Sequence, residues 1–254
     1  MLKIKLLVIA LGAALALPAM AEEAAAPASG FTPSSNVSLV SDYLYRGISQ
    51  SGAGPAIQGG FDLAHSSGLY AGFWGSSISW LSDAAVATNA GLELDTYAGY
   101  KGAAGAVSYD VGFLRYNYPG SYVAGATKGD TDEIYGAVSY SIVTAKLSYA
   151  LGDLFGVSKA QGSTYAELNA NYAVGDTGIT LGAHIGKQTY KGATADAYAD
   201  SATYSDYKLS ASKDFSGYVV GLAYSSTDAT PFYTSLQGKK LGKNTAVLSL
   251  SRAF

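Results

Sequence analysis

Apolar and polar residues alternate with a period of two along almost the whole chain. Val37, Leu39, Tyr43 and Tyr45 alternate with Asn36, Ser38, Asp42 and Arg46, and Leu92, Leu94, Thr96, Ala98 and Tyr100 with Glu93, Asp95, Tyr97 and Gly99. The same beat runs through Ala145–Leu151, Ala166–Tyr172 and Ile179–Ile185. Successive side chains on a strand point to opposite faces, so each run is a strand with one apolar and one polar face. Helical spacing fits none of them. Twelve such segments fall near residues 35–48, 56–65, 69–80, 91–101, 106–118, 132–141, 144–153, 163–174, 179–188, 203–213, 218–226 and 245–254.

The connectors alternate in length. "HSSG", "KGAAG", "IV", "GDTG" and "DFSG" are short and rich in turn residues, whereas 49–55, 81–90, 119–131, 154–162, 189–202 and 227–244 are mostly longer. This predicts an antiparallel meander with two unlike ends, the layout of an outer-membrane barrel. The expected fold is therefore all-β: a transmembrane antiparallel up-and-down β-barrel of about 12 strands, both termini periplasmic. Hydrocarbon offers no partner to an unpaired N–H or C=O, so a spanning sheet must close. Tyr43, Tyr45, Tyr100, Tyr109, Tyr140, Tyr149, Tyr172, Tyr218 and Tyr224 fall on the apolar faces toward strand ends, as in an interfacial aromatic girdle. A soluble β-sandwich also alternates, but its inward face tends to carry large branched side chains. Here the polar face is rich in Gly, Ser and Ala, with charges recurring mid-strand.

The N-terminus reads as a secretory signal peptide. Lys3 and Lys5 precede the apolar run Leu6–Leu17, Pro18 breaks it, and Ala19-Met20-Ala21 forms an A-x-A site, so residues 1–21 are expected to be removed. The apolar run is too short to span a bilayer. Residues 22–33 then form a short flexible segment and 34–254 the barrel. No cysteine is present, which excludes disulfides and thiol chemistry, and no basic stripe suggests nucleic acid. At the other end "KNTAVLSLSRAF" still alternates as it reaches Phe254. In a meander barrel the last strand pairs with the first. Phe254 is therefore expected to close the barrel, join the aromatic girdle and mark the chain for the barrel-assembly machinery.

The stretches "SDYLYRGISQS" and "PAIQGGFDLAHSSGLYAGFWGSSISW" resemble the TorF-type porin family of proteobacteria. Ser41, Asp42, Tyr43, Arg46, Gly47 and Ser49 carry the likeness, with Pro55, Ala56, Gln58, Gly59, Gly68, Tyr70, Gly72, Trp74 and Ser76. The resemblance implies an outer-membrane porin and carries no substrate with it.

With polar faces inward, the pore-lining candidates are the acids Asp42, Asp62, Glu93, Asp95, Asp110, Glu133, Glu167 and Asp206, the bases Arg46, Lys146 and Lys208, and His184. Acidic walls favour cations, so the expected function is a porin-like channel for passive diffusion of small solutes, weakly cation-selective. The alternative is a non-conducting structural or surface-binding barrel, with the inward charges paired, Asp42 with Arg46 for example. Enzymatic activity is not expected. His65 falls in a short turn and His184 on the lumen face, and no serine–base grouping is readable. No cofactor or metal is expected, since "GDTDE" at 129–133 lacks the remaining calcium-loop positions. Expected partners are outer-membrane lipid, lipopolysaccharide, and small solutes or ions; Lys239, Lys240 and Lys243 read first as a solvated loop and second as contacts for lipopolysaccharide phosphates.

Overall fold

The computed structural model describes residues 30–192, 202–229 and 231–254. The signal-peptide reading falls outside these residues, as do positions 193–201 of the 189–202 loop.

Twelve antiparallel strands close into one barrel. They are β1 (Phe31–Val40), β4 (Ala56–His65), β5 (Leu69–Ser77), β6 (Leu92–Ala104), β7 (Val107–Asn117), β8 (Thr131–Tyr140), β9 (Val143–Ala150), β10 (Thr164–Ala173), β11 (Ile179–Thr189), β12 (Tyr204–Phe215), β13 (Tyr218–Thr227) and β14 (Thr245–Ala253). Each pairs with its neighbours in the ring, and β14 returns to β1. At that seam Asn36 faces Ala253 and Val40 faces Ser249. Phe254 adds a reciprocal backbone pair with Ser35, at 3.1 and 2.8 Å.

Connectors 66–68, 105–106, 141–142, 174–178 and 216–217 gather at one end with both ends of the sheet, and the long connectors gather at the other. Alternation sets the faces. Leu39, Ile57, Phe73, Val111, Val138, Leu147, Leu209 and Leu248 all point outward and are exposed. So are Tyr100, Tyr109, Tyr140, Tyr149, Tyr172, Tyr218 and Tyr224, as the girdle reading requires. The buried apolar residues instead collect inside the barrel at its long-loop end, around Tyr43, Tyr45, Trp74, Tyr116 and Tyr118. The small helix α1 (Trp80–Asp83) roofs this cluster, with Leu81 fully buried.

One expected strand differs. The alternation over 35–48 predicts a single strand, but β1 stops at Val40 and the chain turns into the lumen. Tyr43 and Tyr45 are thereby interior residues, not girdle residues.

Candidate functional site: a hairpin inside the barrel

Residues 41–55 form a plug. Ser41 leaves the wall while still tied to it: its backbone N–H donates to the Leu248 carbonyl and its Oγ accepts from the Leu248 N–H, both at 2.9 Å. The chain then makes a minimal hairpin, β2 (Leu44–Tyr45) against β3 (Ile48–Ser49). Arg46 and Gly47 form its two-residue turn with φ of 47° and 77°. Two successive left-handed residues match the twist of a tight hairpin. Glycine is the usual second residue of such a turn, whereas an arginine in the first position is strained. Gly47 is required twice over, since a Cβ here would lie 2.7 Å from the Asp206 Cβ. Short polar side chains hold the base. Ser49 Oγ and Ser51 Oγ donate to Asp42 Oδ1 at 2.6 and 3.2 Å, and the Tyr43 N–H donates to Ser51 Oγ at 2.9 Å.

The tip spans the lumen. Arg46 Nη2 donates to both Glu133 oxygens at 3.0 and 2.8 Å, and its Nη1 donates to Gln188 Oε1 at 2.7 Å. The guanidinium lies over the rings of Tyr165 (4.3 Å), Tyr45 (4.8 Å) and Phe155 (5.8 Å). Tyr45 and Tyr116 share a hydroxyl–hydroxyl bond of 2.5 Å, and the Tyr43 hydroxyl donates to Glu93 Oε1 at 3.0 Å. Burial alone would loosen the Arg46 proton, but the Glu133 carboxylate and the nearby tyrosine hydroxyls more than reverse this. Burial pushes the Asp42 carboxyl above its ordinary range, against the lowering effect of the Ser49 and Ser51 hydrogen bonds.

The other loops cover the plug. The backbone N–H groups of Ser79 and Trp80 donate to the Gln50 carbonyl at 2.8 and 3.1 Å, and that of Ser49 donates to the Leu241 carbonyl at 3.0 Å. Lys239 donates to the Gly52 carbonyl. As a result Tyr43 and Ser49 are each 1% exposed and Arg46 8%. The interior toward the short-turn end is less tightly covered. There the Tyr97 hydroxyl donates to Asp62 at 2.7 Å and that of Tyr70 to Asp110 at 2.6 Å. Lys101 stands 3.9 Å from Asp110, and Lys146 4.0 Å from Glu167. His184 bridges Asp206 at 2.9 Å and Asn169 at 2.7 Å, so both ring nitrogens are engaged and neither reaches a serine. Among the described residues no cluster of three or more His, Cys, Asp or Glu is placed to hold a metal ion.

Asp62, Glu93, Asp95, Asp110, Glu133, Lys146, Glu167, His184, Asp206 and Lys208 lie on wall strands. Asp42 and Arg46 do not; both belong to the plug, and they do not pair with each other. Each meets a partner that sequence spacing could not supply, serines across the hairpin for Asp42 and Glu133 for Arg46. Sequence reasoning missed Lys101, because β6 runs on to Ala104, through most of a "KGAAG" stretch that has the composition of a turn. Tyr97 and Tyr165 lie on the polar faces read from the sequence, whereas the interior role of Gln188, Tyr70 and Tyr116 was missed, although Gln188 shares the parity of His184, Tyr70 that of Trp74 and Tyr116 that of Asp110.

A closed antiparallel meander with a greasy exterior, a polar interior and a folded-in loop defines a porin-like β-barrel. The NanC porin is similar in fold, with a TM-score of 0.50 at 9% identity over 88% of this chain and 99% of that one. A membrane-protein structure described under "Unveiling the Mechanism Behind the in-meso Crystallization of Membrane Proteins" is similar too, with a TM-score of 0.50 at 8% identity over 87% of this chain and 83% of that one. Pseudomonas aeruginosa OccD3 (OpdP) is more distant, with a TM-score of 0.42 at 12% identity over 89% of this chain and 65% of that one. No functionally curated protein matches the chain. The chain belongs to the Gcw_chp family, bacterial proteins of unknown function, whose model matches residues 24–254.

Proposed function

We propose that this protein is an outer-membrane, porin-like channel that passes small solutes passively, prefers cations weakly, and is held closed by its 41–55 plug. The observation that carries this reading is the plug itself. A porin-like barrel whose interior is bridged by a hairpin with an arginine at its tip has the parts of a gated pore. The exposed apolar belt and outward tyrosines support a lipid-facing wall. The likeness of "SDYLYRGISQS" to TorF-type porins supports the same reading, since that motif is the plug. The short-turn end faces the periplasm, with Phe254 at its rim as the mark for the assembly machinery. Lipopolysaccharide meets the long-loop end, where the 227–244 connector carries Lys239, Lys240 and Lys243. His65 Nδ1 meets the Ser67 hydroxyl at 2.8 Å in an exposed turn and His184 bridges Asp206 and Asn169; no enzymatic step is proposed.

The test is single-channel conductance of refolded protein in a planar bilayer. Wild type should show small or infrequent steps. Replacing residues 43–50 with a short Gly-Ser turn should enlarge them, with reversal potentials favouring cations. A clear anion preference overturns the selectivity. Absence of conductance and of liposome swelling in the plug-less variant overturns the channel and leaves the structural barrel, a reading the packed plug also supports.

A further inference from the structure

Most of the groups around the Arg46 guanidinium belong to the wall, not to the plug. Glu133 comes from β8, Gln188 from β11, Tyr165 from β10, and Phe155 from the connector between β9 and β10. Only Tyr45 travels with the hairpin. A carboxylate, an amide oxygen and two ring faces match a flat, delocalised cation that donates in its plane and stacks on its faces.

We propose that this wall site recognises solutes bearing a guanidinium group, and that Arg46 occupies it as a tethered stand-in while the plug is seated. The inference rests on the channel reading for the solute's route of entry. When the hairpin withdraws, Glu133 loses both bonds from Arg46 and keeps the Tyr116 hydroxyl at 3.3 Å as a side-chain donor. A carboxylate that has lost its counter-charge favours a new cation in the same place. The tethered ligand does not hold it without strain. Arg46 sits at φ 47°, a left-handed conformation unfavourable for a residue with a Cβ. Asp206, Glu167, Asp110 and Asp62 line the interior beyond and raise the local concentration of cations. A solute that binds only the vacated site draws the plug equilibrium toward the open state. Guanidinium-bearing solutes would then open the pore that carries them.

The test uses Arg46→Ala, which removes the stand-in, with the plug-less 43–50 replacement as a second protein should the first not fold. Methylguanidinium is titrated calorimetrically into each detergent-solubilised barrel, with methylammonium and sodium as controls. We expect methylguanidinium to bind at least tenfold more tightly than methylammonium in both proteins, and the difference to vanish on adding Glu133→Gln. Equal affinities for the two cations, or binding that survives Glu133→Gln, would overturn the proposal. Calorimetry needs no conduction, so a barrel that binds methylguanidinium yet passes no current refutes the channel and not the site.

Discussion

Arg46 and Glu133 meet at 2.8 Å in the barrel interior, although Glu133 sits on β8, five strands around the ring from the β1 strand that leads into the plug. The pair fastens a mobile kind of element, a two-residue hairpin, to the far wall. Both partners are buried, and breaking such a pair from one side leaves the other charge stranded.

Arg46→Ala should therefore weaken plug seating by about 3–5 kcal/mol, and Glu133→Gln by a comparable amount. Combining them should cost less than the sum, because the double variant strands no charge. Limited proteolysis within residues 41–55 reads seating directly. Strictly additive cleavage rates would mean that the two side chains do not act together.

Gly47→Ala should release the hairpin while leaving the barrel closed. The new Cβ meets Asp206, and the left-handed backbone adds about 1–2 kcal/mol of its own. Heat-modifiable gel migration should be unchanged and channel steps larger than in wild type. Loss of heat-modifiability would show that the hairpin supports the wall itself.

Plug seating should weaken as pH rises. The Asp42 carboxyl is raised by burial in the seated hairpin, so the seated state binds the extra proton. Its contribution to seating is fully present below the ordinary carboxylate value and is lost as pH climbs through the raised one. Cleavage within the plug, followed from pH 4 upward, should accelerate through that window, and Asp42→Asn should flatten the profile.

The outer face carries its own test. Leu209 points outward at the middle of β12 and is 66% exposed. If lipid covers it, Leu209→Arg should destabilise the folded barrel in bilayers by about 2–4 kcal/mol in denaturant titrations. A neutral effect would indicate that water, not hydrocarbon, meets this face.

Most of the wall was legible from residues alone. Alternation is a local property: each residue's face follows from its parity, and the alternating connector lengths give the ring order. That is why Leu39, Val138 and Leu248 face outward and Asp62, Glu93 and Asp206 inward without any tertiary information. The seam followed too, since a closed meander leaves only β14 to pair with β1.

The destination of residues 41–50 was not legible. Tyr43 and Tyr45 keep the same beat as Val37 and Leu39, because a hairpin inside a barrel alternates just as its wall does. Period two reports which side of a ribbon a residue takes, not whether that ribbon lies in the wall or across the hollow. Only closure of the ring creates the enclosed space, and only there do Glu93, Glu133 and Gln188, lying 50, 87 and 142 residues beyond their plug partners, converge on Tyr43 and Arg46. The alternating sequence determined the barrel; the tertiary structure decided that its N-terminal loop would fill it.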